Sequence, residues 1–134
     1  MNIFAIAGSG LTAQSVRMNA TASNIANAET ISSNRDETYR AKIPIFSAMV
    51  NNARDGMNGA MVRVDGVVES QAPLRAQFRP DHPMADENGN IFLPNVNMVE
   101  EMANMISASR SYQTNIEVLN TSKQMMMRTL SLGE

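Results

Sequence analysis

One unbroken stripe constrains this chain more than any other feature. From Met98, steps of four and three residues in alternation land on Met102, Met105, Ser109, Tyr112, Ile116, Leu119, Lys123, Met126 and Leu130, and all but Ser109 and Lys123 are apolar. A 4-3 step averages about 3.5 residues, the heptad seam along which one helix lies on another with a left-handed supercoil. No Gly or Pro breaks the run before Gly133. Glu100 and Glu101 open it and Lys123 and Arg128 lie near its end, the charge order a helix dipole favours. Such a helix is about 50 Å long, more than a small domain covers, so the stripe predicts a partner.

The same step at the other end reads Phe4, Gly8, Leu11, Ser15, Met18, Ala22 and Ile25. Large residues recur every seventh position with small ones between them, a pattern that lets helices approach closely. Between Met1 and Ala28 the only charge is Arg17, and the remaining polar side chains are Asn, Ser, Thr and Gln. A solvent-facing helix normally carries Lys and Glu. Amides and hydroxyls suit a helix packed on several sides, where they hydrogen-bond across an interface without burying charge. Asn24 and Asn27 crowd its end, where Asn tolerates the left-handed conformation that stops helices.

Between the arms the pattern shortens to strands and turns. Glu29 to Arg40 is polar, with Ser32-Ser33-Asn34 as loop. Pro44 marks Ile43 to Phe46 as an extended stretch or edge strand, and Asn51 to Asn58 reads as another loop. Ala60 to Ser70 reads as one strand bent at Gly66, with a hairpin turning on Asp65-Gly66 as the alternative. Leu74 to Arg79 is a partner strand ended by Pro80 and Pro83, and Ile91 to Leu93 a short strand stopped by Pro94. Asn95 or Asn97 caps the long helix, with Glu100 placed for a capping box. The expected fold is mainly α: N- and C-terminal helices, residues 1–28 and 96–134, paired as an antiparallel coiled coil. A small β-hairpin or extended insert, 29–95, lies between them, and the termini lie together.

Nothing in the chain spells out catalysis. With no Cys, disulfides, thiolate metal sites and Cys nucleophiles are excluded. A net charge of -2 supplies no pull toward nucleic acid or anionic lipid. Twelve Met and no Trp argue for adaptable surfaces rather than a large rigid core. No apolar run reaches the length of a membrane span, and the first seven residues lack the basic start of a cleavable signal peptide. His82, beside Asp81, Asp86 and Glu87, sketches a metal site that lacks a second nitrogen ligand. Asp86 to Gly89 lacks the ligand order of a calcium loop. Glu100 and Glu101 are adjacent on a helix and point apart. No cofactor is expected. In the run Met125 to Met127, Met126 is assigned to the seam and its neighbours to contacts between molecules.

The stretch Ser9-Gly10-Leu11-Thr12-Ala13-Gln14-Ser15-Val16-Arg17-Met18, ending in Ser23-Asn24-Ile25-Ala26-Asn27-Ala28, resembles the N-terminal signature of the bacterial flagellar rod and hook proteins. Asp81 to Asp86, Gly89, Pro94-Asn95-Val96 with Glu101-Met102, and Ser107 to Asn115 are similar to the proximal rod members of that family. A Thr-Pro-Gly-Tyr turn common in the wider family is missing after Thr30. The resemblance implies a structural, non-enzymatic subunit of the basal-body rod, the drive shaft that carries motor torque to the hook. It implies export without a cleaved signal through the flagellar type III apparatus, then assembly across the periplasm into a helical tube. Partners would be other rod proteins, copies of the chain itself and the adaptor at the rod base, without direct membrane insertion.

The expected assembly interface is Phe4, Leu11, Met18, Ile25, Asn24 and Asn27 on the first helix. On the second it is Met102, Met105, Tyr112, Ile116, Leu119, Met126 and Leu130. Two other classes remain for comparison. A soluble coiled-coil adaptor or export chaperone would form a stable cytoplasmic dimer, and a small enzyme at the β insert would depend on His82.

Overall fold

The computed structural model describes residues 2–50 and 59–133, so the loop expected at Asn51 to Asn58 lies outside the described residues. Helix α1 (Ile3–Asn27, 25 residues) starts at Asn2, whose Oδ1 accepts the Ala5 N–H at 2.8 Å. That satisfies one of the donors that a first turn leaves open. The far end departs from expectation. Ala28 caps it with φ -60°, and no described non-glycine residue has a positive φ. Instead of turning left-handed, Asn27 donates through Nδ2 to the Ser23 C=O at 2.9 Å. Its own carbonyl receives the Thr30 hydroxyl at 2.8 Å.

Helix α2 (Met98–Leu132, 35 residues) is capped by Asn97, which accepts from the N–H groups of Val99 and Glu100. Asn95, the other candidate cap, faces the strands. The helices run antiparallel: Gly10 lies against Asn115, Arg17 Nη2 reaches Asn104 Oδ1 at 3.4 Å, and Asn24 lies beside Glu101. Extended at the same spacing, Ile3 falls opposite Ser122, and α2 runs on past it.

Strands β1 (Lys42–Val50) and β2 (Ala60–Glu69) form an antiparallel ribbon in register from Lys42↔Glu69 to Val50↔Ala60. Ile45 faces Gly66 while Phe46 faces Val64, so Asp65 is the extra residue of a bulge, and Gly66 at φ 150° takes the bend. Ala60 to Glu69 is thus one bent strand. The bulge turns Asp65 to Arg63, whose Nε bonds it at 2.7 Å and holds its carboxyl below the usual range. The ribbon lies on α1, where the Val62 N–H donates to Ser9 Oγ at 3.1 Å.

Strands β3 (Arg75–Phe78) and β4 (Asn90–Leu93) form a second antiparallel pair, Arg75↔Leu93 to Phe78↔Asn90. Ser32 extends it by a two-way backbone bridge to Phe92, over whose ring the Arg35 guanidinium sits at 5.0 Å. Ile91, Phe92 and Leu93 are buried, beside a small core of Ala28, Ala41 and Val96 flanked by Tyr39 and Met98. Arg75 ties this knot. Its guanidinium donates to the Pro94 carbonyl at 3.0 Å and to that of Ala28, at the end of α1, at 2.7 Å.

These sheets correct the mainly α expectation. About 51% of the described chain is helix and 23% strand, and two separate antiparallel sheets are more than a small insert. The pairing differs too: β2 takes β1 as partner, and β3 takes β4. Pro44 does not cut β1 short. Lys42 turns its N–H and C=O outward to Asn24, so Pro44, two residues on, also has its nitrogen on the outer edge, where no ladder donor is lost.

Candidate assembly surface

The line along which the helices meet is not the heptad stripe. On α2 the one fully buried residue is Ala108, flanked by half-buried Glu101, Asn104, Ser111, Asn115 and Ser122. This line lies one residue before the stripe. The reason is distance: a Cβ on Gly10 would stand 2.8 Å from Asn115 Oδ1. Backbones that close admit small and amide side chains, and α1 correspondingly buries Ala7, Ala13, Ala20, Thr21 and Asn24. Larger residues are rotated to the flanks.

The expected interface residues therefore divide. Phe4, Leu11, Met18 and Ile25 are half-buried along α1, as are Met105, Tyr112 and Leu119 on α2. Leu11 and Tyr112 line one shallow groove across the pair. Met102 (52% exposed) and Ile116 (37%) lie open on the flank. Met126 lies five turns beyond Ala108 and so on the same face, followed by Leu130, but α1 does not reach that far. Met126 is 52% exposed and Leu130 68%, so Met126 is not core of the seam. Met125 and Met127 are exposed beside it. Asn24 is buried and points to β1, and Asn27, half-buried, bonds within its own helix.

Two surfaces were missed. Val99 and Ile106 join Met102 in an exposed apolar stripe on the first turns of α2, with the 3-4 spacing that could have revealed it. The ribbon also exposes Ile43, Met49, Val62, Val67 and Val68.

Charge is scarce on this surface. Arg17, the only charge of α1, bonds Asn104 and Gln14. Glu101 lies half-buried at the start of α2, where desolvation pushes its carboxyl up from its usual value against the hydrogen bond from Asn24. The residues around His82 serve a turn: its Nδ1 accepts the Met84 N–H at 3.0 Å, and Asp86 Oδ1 accepts from Asn88 and Asn90. Among the described residues no group of three His, Asp or Glu is set to hold a metal ion. No described helix is long and apolar enough to cross a membrane.

Residues 4–31 match the family model for the flagella basal body rod protein, and residues 88–132 that for the C-terminal part of the flagellar basal body rod FlgEFG proteins. The flagellar basal-body rod protein FlgC of Salmonella typhimurium is 51% identical over 134 residues, covering 100% of this chain and 98% of the relative. The chain belongs to the FlgC family. FlgC of Yersinia enterocolitica is 48% identical over the same coverage. FlgC of Borreliella burgdorferi is 38% identical over 141 residues, covering 95% of this chain and 93% of the relative. FlgC membership makes the chain a structural subunit of the proximal rod of the flagellar basal body, assembling there with other rod components. It leaves an adaptor or chaperone without support.

Proposed function

We propose that the subunit builds a helical tube through the open apolar faces of its helix pair. In this tube residues 1–28 and 96–134 form the helical core domain and residues 29–95 an arm upon it. Copies of the chain and other rod proteins pack on Phe4, Leu11, Met18 and Ile25 of α1 and on Met102, Ile116, Met126 and Leu130 of α2. A face that meets a different face of its neighbour gives an open, non-closing array, and torque passes along it from motor to hook. The subunit acts without catalysis. It travels through the type III export apparatus, seats against the adaptor at the rod base and crosses the periplasm in assembled form.

The observation that carries this reading is the end of α2, which keeps the α1-facing side but, among the described residues, has no helix upon it, with Met126 and Leu130 in the open. Replacing both, Met126→Asp with Leu130→Asp, puts charge on that side without touching a buried residue. The variant should melt within a few degrees of the parent, be exported, and be missing from purified hook–basal bodies. Retention at parental stoichiometry with normal swimming would overturn the assignment.

A further inference from the structure

The root of the β1–β2 ribbon is held by two asparagine side chains. Asn24 of α1, 2% exposed, accepts the Lys42 N–H through Oδ1 at 2.8 Å and donates Nδ2 to the Lys42 C=O at 3.0 Å. One side-chain amide thus stands where a neighbouring strand would present a peptide group. Its Oδ1 also accepts the Tyr39 hydroxyl at 2.8 Å, and it lies beside Glu101 of α2. From the other side Asn95 accepts the Ala41 N–H at 2.8 Å. It donates to the carbonyls of Ser70 at 3.2 Å and Ala72 at 2.9 Å, where the second strand leaves. Both strands of the ribbon are therefore gripped at its root, beside the helix pair. Beyond them, among the described residues, one hydrogen bond joins ribbon to helix, from the Val62 N–H to Ser9.

We propose that Asn24 and Asn95 are positioning residues: they fix the angle of the ribbon on the helix pair, making it a rigid arm, and incorporation into the rod requires that angle. The second half rests on the assembly reading above. The chemistry demands an amide. A carboxylate of the same shape still accepts from Lys42 and Tyr39, but it turns lone pairs toward the Lys42 carbonyl and lies beside Glu101. It therefore loosens the grip without emptying the site.

The chain has no cysteine, so Ala22→Cys on the exposed face of α1 and Ala48→Cys on β1 accept one spin label each. Distances between the labels should fall in one narrow distribution. Asn24→Asp and Asn95→Asp, made singly, should each widen it at least twofold with helix content unchanged. Asn27→Asp, whose side-chain amide hydrogen-bonds only within its own helix, should leave it narrow. A width unchanged in folded Asn24→Asp and Asn95→Asp protein overturns the angle claim and leaves the rod reading untouched. Should both variants unfold, amide exchange of the parent decides. Slow exchange at Ala41 and Lys42 is expected, and exchange at the rate of free peptide overturns the grip. A widened distribution with parental incorporation into basal bodies overturns the requirement for the angle.

Discussion

Gly8 and Gly10 lie two residues apart on α1 and have opposite surroundings. A Cβ at Gly8 meets nothing within 4 Å, whereas one at Gly10 lands 2.8 Å from Asn115 Oδ1. Asn115 is not free to swing away cheaply, since its Nδ2 donates to the Ser111 carbonyl at 2.9 Å. Glycine inside a helix is worth about 0.5–1 kcal/mol less than alanine, so Gly8→Ala should stabilise the isolated subunit by about that much. Gly10→Val wedges the helices apart at their closest approach and should destabilise it by about 1–3 kcal/mol. Urea unfolding of the two variants measures both. Equal midpoints would mean that the helices do not touch at Gly10. The heptad pattern marks Gly8 as the small residue under a large neighbour, yet Gly10 holds the close approach.

At the scale of elements, α2 carries a conflict in its first turn. The helix dipole favours a charged Glu101 there. Burial nevertheless pushes its carboxyl up, and Glu100 adds to the rise, against the opposing hydrogen bond from Asn24. A carboxyl raised in the folded state binds more protons folded than unfolded between the two values. Stability therefore falls as pH rises through that interval, and the penalty is complete above it. Glu101→Gln removes the titration: the variant should melt higher than the parent at pH 7, by on the order of a degree or two for a half-exposed group. The difference should vanish below about pH 4; a gap that persists there would assign it to something other than charge. The helices themselves were legible in the sequence because long apolar periodicity and the Asn97 cap are local signals. The seam was not. Its position is decided by how near two backbones come, and small residues such as Ala108 and Gly10 leave no mark in a pattern built on large ones. Strand pairing escaped for a related reason. Val62, Val64, Val67 and Val68 announce a strand, but an apolar pattern does not say which strand it pairs with, and the ladder from Lys42↔Glu69 to Val50↔Ala60 shows only once the chain is folded.

For the whole molecule, packing is uneven along its length. From Glu101 to Ser122 α2 lies on α1, with Ala108 sealed between them, while Met125, Met126, Met127, Leu130 and Leu132 beyond are all more than half exposed. A helical segment of about ten residues does not hold itself together in water, so its order in an isolated subunit comes only from continuity with the packed part. Amide exchange followed by mass spectrometry should show this division. In the monomer the amides around Ala108 should open only with global unfolding, and those from Gln124 to Leu132 should exchange close to the free-peptide rate. In purified rods the same terminal amides should become slow, since neighbours then cover the face that α1 leaves bare. Terminal turns as protected as Ala108 in the monomer would mean that the helix end needs no neighbour. Fast exchange that persists in the rod would take Met126 and Leu130 out of the interface and leave the share of α2 to the stripe of Val99, Met102 and Ile106. The bare end thus links subunit stability to assembly: the residues that cannot be satisfied within one chain are those through which the next is added.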